Sequence, residues 1–364
     1  MSAILSPFGW LYGKIANARN TLYDRAYLRS FSLGARTISI GNITTGGTGK
    51  TPLVAFVAEI LAEQGEKVCV LTRGYGRENP QARVLVSDGE QLVAGPAKGG
   101  DEPVELAGKL LGKAVVVADA DRVAAARWAK DRFGVTAFVL DDAFQHRRAK
   151  RDVDIVCIDA TNPFGNGKIL PAGRLREPLA NLRRANAVVI TRANLANAVP
   201  DRKFEISDLK SQISAIAPGI TIFVCENHFA GLTEIGEFHA KLQRAHREAV
   251  SIGFENKPWA GDPYRLQDTE SFAFCALGNP SGFFMQLKVE ALAVVGERAF
   301  RDHYVYRQSD VDEIEKRATA AGAKRLLTTA KDAVKLKGFH FNFPCFVVET
   351  EPQMDDPDLF RAML

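Results

Sequence analysis

Gly41-Asn42-Ile43-Thr44-Thr45-Gly46-Gly47-Thr48-Gly49-Lys50-Thr51-Pro52 decides the fold class of this 364-residue chain. Just before it, Thr37-Ile38-Ser39-Ile40 reads as a short, largely β-branched strand. Just after it, the apolar run Pro52–Gln64 reads as a helix. A strand, a glycine-rich loop and a helix, in that order, build a phosphate cradle. Around Gly46, Gly47 and Gly49 successive backbone N–H groups can converge on phosphate oxygens, because no Cβ stands in the way. The residues expected to hold ATP are therefore Thr45, Gly46, Gly47, Thr48, Gly49, Lys50, Thr51 and Pro52. Lys50 reaches the β- and γ-phosphates, the Thr51 hydroxyl ligates Mg²⁺, and the helix N-terminus adds its partial positive charge.

The spacing departs from the ordinary loop. Thr44 occupies the place where a glycine is expected, and the pair Gly46-Gly47 takes over. That arrangement resembles the deviant loop of ParA-like P-loop proteins, except that Thr45 stands where those carry a signature lysine. Guanine readers carry Asn/Thr-Lys-x-Asp after a late strand. Here Thr191-Arg192-Ala193-Asn194 lacks the carboxylate and Lys331-Asp332 lacks the spacer, which favours ATP.

Downstream, strand-like runs at 67–72, 113–117, 136–140, 153–158 and 187–191 alternate with helical runs at 103–111 and 121–133. This is the pattern of an α/β wound sheet of the P-loop nucleoside triphosphate hydrolase type. Parallel strands present their polar tips at one carboxyl edge, where ligands bind. One tip is Asp141-Asp142, a Walker B-like pair expected to ligate Mg²⁺ together with Thr51. The basic run that follows, Arg147 to Arg151, reads as a solvated surface. Arg73-Gly74-Tyr75-Gly76 forms another tip. Gly100-Asp101-Glu102-Pro103 opens a helix, where two carboxylates suit simple capping as well as chemistry.

Composition sets outer limits. A hydrophobic share of 46% and a charged share of 25% are those of an ordinary globular protein. No apolar run reaches the roughly 18 residues of a membrane span, and the N-terminus lacks a secretory cleavage pattern. The five cysteines stand singly inside apolar runs, as buried reduced thiols would, and the six histidines are dispersed, unlike a zinc site. No nucleic-acid partner is expected. The net charge of +4 is matched by residues 1–36 alone, where Lys14, Arg19, Arg25, Arg29 and Arg36 face only Asp24. In the same segment Phe8, Leu11, Tyr12, Ile15, Ala18 and Leu22 recur at helical spacing, widened by Trp10, Tyr23, Tyr27 and Leu28. Such an amphipathic helix either packs on the following domain or lies in a membrane interface.

Taken together, GNITTGGTGKTP, LTRGYGR, GDEP, DADR, DDAFQHRR, FGNGKILPAGRLREP, CALGNPSGFF, FRDHYVY and TTAKDAVKL resemble, in that order, the tetraacyldisaccharide 4'-kinase (lipid A 4'-kinase) family. The resemblance runs from about residue 5 to about 350, with Lys203–Glu270 as a variable connector. It implies an ATP- and Mg²⁺-dependent transfer of the γ-phosphate to the 4'-hydroxyl of a tetraacylated glucosamine disaccharide 1-phosphate. It also implies a peripheral protein at the cytoplasmic face of the inner membrane, and this tips the N-terminal helix towards interface binding. By resemblance Asp101 is the acceptor's base, partnered by His303, and Lys50 completes the catalytic set. Glu102, Arg122, Gln145, His146 and Glu177 become second-tier contacts to Mg²⁺, phosphate or the substrate 1-phosphate, and Arg73 and Tyr75 contact either ligand.

The expected organisation is an N-terminal helix at 1–36 and a P-loop kinase domain at 37–202. A connector at 203–270, a smaller α/β domain at 271–350 and a C-terminal tail or helix at 351–364 follow. A histidine in the smaller domain serving an aspartate in the first implies a closing cleft. The alternative is a ParA-like, membrane-associated ATPase switch with no lipid acceptor.

Overall fold

The computed structural model describes residues 2–199, 205–244 and 268–364. The chain opens with helix α1 (Ser2–Asp24) and strand β1 (Arg36–Asn42). Then come α2 (Lys50–Glu63), β2 (Val68–Thr72), β3 (Val84–Ser87), α3 (Pro96–Gly99), α4 (Asp101–Lys109), β4 (Ala114–Ala118), α5 (Arg122–Phe133) and β5 (Ala137–Asp141). The middle of the chain supplies β6 (Val153–Asp159), β7 (Ala187–Thr191), α6 (Ile206–Ile216), β8 (Thr221–Glu234) and α7 (Ile235–Arg244). The last part supplies β9 (Ser271–Cys275), α8 (Pro280–Val289), β10 (Val294–Ala299), α9 (Gln308–Ala320), β11 (Arg325–Thr329), α10 (Ala330–Ala333), β12 (Cys345–Met354) and α11 (Pro357–Met363).

Two compact units emerge. The first holds Met1–Arg73, Asp119–Asn227 and Pro352–Leu364; the second holds Gly74–Ala118 and His228–Glu351. In the first unit, β1 runs parallel between β5 and β6, β2 lies beyond β5, β7 lies beyond β6, and β7 pairs with the start of β8. The five strands β1, β2, β5, β6 and β7 are almost wholly buried, hence near-continuous runs such as VCVLT and AVVIT rather than alternating ones. Ile40 is level with Asp141 and with Ile155, so the loop after β1 starts beside the carboxylate tip of β5. That is the switch point of a wound sheet: β2 and β5 lie on one side of β1, and the chain then crosses to place β6 and β7 on the other.

In the second unit, β10, β9, β11 and β12 are parallel in that order, and β3 and β4 form an antiparallel pair. Its core is built from Phe272, Phe274, Tyr306, Val311, Ile314, Leu326 and Val347.

The observed division differs from the boundaries read in the sequence. Gly74–Ala118 sits with the second unit, because α4 packs there: a Cβ on Gly108 would lie 2.5 Å from Leu242 of α7. The stretch 203–270 is more than a connector, since it contains α6, β8 and α7; its residues 245–267 lie outside the described residues. The C-terminal segment is a helix of the first unit, anchored by the fully buried Phe360 against Phe56 and Phe223 at 6.1 and 5.1 Å between ring centroids. All five cysteines are buried and unpaired.

Helix α1 lies on the first unit through a narrow line of contact. A Cβ at Gly9 would come within 2.8 Å of the Ile169 carbonyl oxygen, and one at Gly13 within 2.8 Å of Ile169 Cδ1. About two turns later Asn20 is buried and donates to Glu177 at 2.9 Å. The rest of the helix stays outside: Phe8, Trp10 and Ile15 are 61%, 66% and 59% exposed, and Leu11, Tyr12 and Leu22 are exposed as well. No helix among the described residues is long and apolar enough to cross a membrane.

Candidate active site

The nucleotide loop is held from three sides. Gly49 caps α2 in the left-handed region at φ 74°, and Gly46 has φ 107°, conformations that favour glycine. Asn42 donates to the Thr48 hydroxyl at 3.0 Å, and the Thr191 hydroxyl donates to the Thr48 carbonyl at 2.8 Å. Arg192 donates to the Gly47 carbonyl at 2.8 Å while its guanidinium pairs with Asp159 at 2.5 Å. Thr45 N–H donates to the Arg174 carbonyl at 2.8 Å, tying the loop to the segment before Glu177. Gly41 must be glycine, since a Cβ would lie 2.6 Å from Phe144.

Past the loop, Lys50 Nζ lies 3.6 Å from Asp142 Oδ1. Arg176 Nη1 contacts both Asp142 oxygens at 2.8 and 2.9 Å. Burial pushes the Asp142 carboxyl up, but Lys50 and Arg176 outweigh it and hold it below its ordinary value. Asp142 sits at φ 49°, an uncommon conformation for a side-chain-bearing residue. Asp141 is buried and accepts from the Thr72 hydroxyl at 3.0 Å. Thr51, Asp141 and Asp142 offer oxygen donors only, the chemistry a hard divalent cation takes. Among the described residues no cluster of three or more His, Cys, Asp or Glu forms a metal cage. With two carboxylates and a hydroxyl, Thr51, Asp141 and Asp142 fit Mg²⁺ shared with phosphates by their oxygen chemistry.

The remaining residues singled out in this unit fall into a buried network. Arg122 is buried and donates to the carbonyls of Asp119 and Asp141 at 3.1 and 3.3 Å. Gln145 donates to the Asn42 carbonyl at 2.9 Å and to Glu177 at 3.0 Å. Glu177 is buried at 2% exposure, with its oxygens taken by Asn20, Gln145, Asn181 and Arg184. Its geometry is that of a structural hub joining α1 to the loop before β7. His146 differs: its Nε2 is buried with no hydrogen-bond partner among the described residues. Burial first, then Arg122 and Arg151, pull its pKa down to about 4, so the ring is neutral. Arg73 is exposed at the tip of β2.

The second unit carries its own charged cluster. Asp101, the first residue of α4, is 6% exposed, and His303 Nδ1 lies 2.9 and 3.0 Å from its two oxygens. Burial raises the Asp101 carboxyl, yet the His303 hydrogen bond, Lys331 and Lys335 more than offset it and keep it ionised. The hydrogen bond to Asp101 in turn raises the imidazole, against burial and Lys331. An ionised carboxylate can only accept, so Nδ1 carries a proton. Gly76 comes against the ring: its Cβ would lie 3.7 Å from His303 Nδ1, and Tyr75 beside it is 46% exposed. Glu102 contacts Lys331 at 2.9 Å.

The structure thus joins Lys50 to Asp142 within one unit, and Asp101 to His303 within the other. Sequence reasoning passed over Arg176, Arg192, Lys331 and Lys335. All but Arg192 stood inside stretches that had been singled out, and Arg192 was weighed only as a guanine reader. What marks them is the partner each finds through folding.

The tetraacyldisaccharide-1-P 4'-kinase family model matches residues 1–364, the whole chain. The chain belongs to this family. A tetraacyldisaccharide 4'-kinase of Halothermothrix orenii is 36% identical over 333 residues, covering 91% of this chain and 82% of that protein. One from Anaeromyxobacter sp. strain Fw109-5 is 40% identical over 322 residues, covering 88% and 79%. Among solved structures, the "apo" form of LpxK from Aquifex aeolicus in complex with ATP matches with a TM-score of 0.72 at 29% identity, covering 100% of this chain and 98% of that one.

Proposed function

We propose that this family member works with Mg-ATP held by the 45–52 loop, and that Asp101 orients the 4'-hydroxyl of a tetraacyldisaccharide 1-phosphate and accepts its proton. The observation that carries this reading is His303 Nδ1 set on both oxygens of a buried, ionised Asp101. Phosphoryl transfer passes through a loose transition state that needs positioning and charge more than a strong base. An ionised carboxylate, aimed by an imidazole whose Nδ1 carries a proton, suits that demand.

Lys50 neutralises charge on the transferring phosphoryl group. Thr51, Asp141 and Asp142 would hold the Mg²⁺, which when bound would offset negative charge on the phosphates. Arg176 engages Asp142, and its guanidinium is a group that would also suit a phosphate. His146 Nε2, buried and unpartnered, offers one further neutral contact to a ligand.

Helix α1 supports a peripheral site at the cytoplasmic face of the inner membrane. The bare face of Phe8, Trp10, Leu11, Tyr12 and Ile15 with Lys14 over Trp10 suits an interface with anionic headgroups. Replacing Trp10 and Leu11 by serine should weaken binding to anionic vesicles by about tenfold or more, from the apolar area withdrawn. Unchanged vesicle binding would rule out that face.

The whole reading is tested with γ-labelled ATP, with and without the disaccharide 1-phosphate. Label transferred to the lipid is the expected result. Label released as phosphate at the same rate with or without acceptor would favour an ATPase switch instead.

A further inference from the structure

His303 does not hold its place unaided. Its backbone sits in the left-handed region at φ 57°, which costs energy for a residue with a Cβ and persists only where surroundings enforce it. One enforcing contact is local: Asp302 Oδ1 accepts from the His303 N–H at 3.0 Å. The same Asp302 oxygen accepts from Lys331 Nζ at 2.9 Å. Lys331 also donates to Glu102 Oε1 at 2.9 Å and stands 4.0 Å from Asp101 Oδ2. Glu102 is the neighbour of Asp101 at the start of α4. One ammonium, only 8% exposed at its side chain, therefore ties the turn bearing the imidazole to the helix end bearing the carboxylate.

The position of Lys331 is itself fixed. It lies in α10, where the Thr329 hydroxyl and the buried Asp332 cap the turn, with 2.7 Å between them. Asp332 accepts further from Tyr306 at 3.0 Å and pairs with Lys335 at 3.0 Å. His239 of α7 contacts the Ala333 carbonyl at 2.8 Å. The ammonium is thus delivered from a rigid base, and the two carboxylates it joins are 200 residues apart in sequence.

We propose that Lys331 is a positioning residue for phosphoryl transfer, acting through Asp302 and Glu102 to hold the His303 imidazole on the Asp101 carboxylate. It touches neither nucleotide nor acceptor in this role. Removing it frees the turn at 302–303 to relax from its strained conformation, and the imidazole drifts off the carboxylate. The proposal rests on the reading of Asp101 and His303 as the acceptor-side pair.

The test is a double-mutant cycle in full-length protein, measuring lipid phosphorylation at saturating Mg-ATP and acceptor. Lys331→Met should lower kcat by about 10- to 100-fold, the scale of a misplacement near one ångström, with KM for ATP within about twofold of wild type. Added to His303→Ala, the same substitution should cost nothing more, because the group it positions is already gone. Losses that multiply, or a Lys331→Met rate within about twofold of wild type, would overturn the proposal. Should Lys331→Met fail to fold, Asp302→Asn carries the same cycle: its side chain is 40% exposed and its loss leaves no buried charge unpaired. If wild-type protein fails to phosphorylate the lipid, it is the kinase reading that falls, whatever the cycle shows.

Discussion

The nucleotide end of the first unit and the charged cluster of the second solve one problem in opposite ways. Each holds an aspartate ionised although burial works against it, and each places a residue with a Cβ at positive φ: Asp142 at 49° and His303 at 57°. The cations differ in what else they must do. In the proposed reading Lys50 and Arg176, which hold Asp142, are groups a phosphate would claim, so their pairing with that aspartate would be exchanged when nucleotide binds. Lys331 and Lys335 instead sit beside Asp101 at 8% and 10% side-chain exposure, engaged with other carboxylates. In the same reading that cluster would persist through turnover. The histidines follow suit: the hydrogen bond to a carboxylate partner raises the pKa of His303, and burial with nearby arginines keeps His146 neutral.

The sharpest way to break this contrast is to remove the persistent carboxylate. Asp101→Asn keeps size and shape but loses the proton acceptor. It should lower kcat by about a thousandfold, within the range of general-base effects, and leave KM for ATP near that of wild type. Steady-state kinetics with both substrates varied will show it. A fall confined to KM would mean that Asp101 binds rather than reacts.

The exchangeable aspartate should behave otherwise. Asp142→Asn removes a proposed metal ligand and a partner of Lys50, so activity at limiting Mg²⁺ should fall about 10- to 100-fold and recover in part as Mg²⁺ is raised. Asp101→Asn should show no such recovery. A Mg²⁺ titration of both variants side by side separates the two roles, and equal responses would erase the distinction drawn between the clusters.

Smaller again is the expected effect of Arg176→Met. With Lys50 still in place, loss of one guanidinium should raise KM for ATP about fivefold, the value of one charge-assisted hydrogen bond partly exposed to solvent. An unchanged KM would leave Arg176 as a structural partner of Asp142 alone.

The same contrast explains how much the sequence could tell. The loop after β1 was legible because its chemistry is contiguous: strand, glycines, lysine and threonine lie within fifteen residues and depend on no distant contact. The β5 tip was legible for a like reason, as an apolar run ending in Asp141-Asp142. Asp101 and His303 could be paired only through a family resemblance, since 202 residues separate them. Lys331 stood in a singled-out stretch but gave no local sign of this role; its meaning comes from three carboxylates contributed by two distant segments. The placement of Gly74–Ala118 was hidden for the same reason: hydrophobic periodicity predicts a strand and a helix there, but not which core receives them. Glu177 shows what motif reading leaves out. A carboxylate expected by resemblance as a ligand contact also proves to be the hub that anchors Asn20 of α1, a long-range contact no local pattern signals.

The two histidines give the finest test, because they push stability in opposite directions with pH. His303 has a raised folded pKa, so its contribution is complete below the unfolded value of about 6.5 and fades as pH climbs through the folded value. His146 is depressed to about 4, so its contribution is complete above about 6.5 and is lost as pH falls from there towards 4. Acidification from about pH 7 to 5 should then cost the first unit on the order of 1 kcal/mol through His146, after allowing for its partial solvent contact. His146→Gln, which cannot titrate, should flatten that limb in denaturant unfolding, and His303→Gln should leave it in place. Proton NMR of the folded chain gives the direct measure, with one ring titrating near 4 and the other above the ordinary histidine range. Should both rings titrate together near the free value, the two clusters would differ in composition only, and the buried neutral ring would lose its standing as a ligand contact.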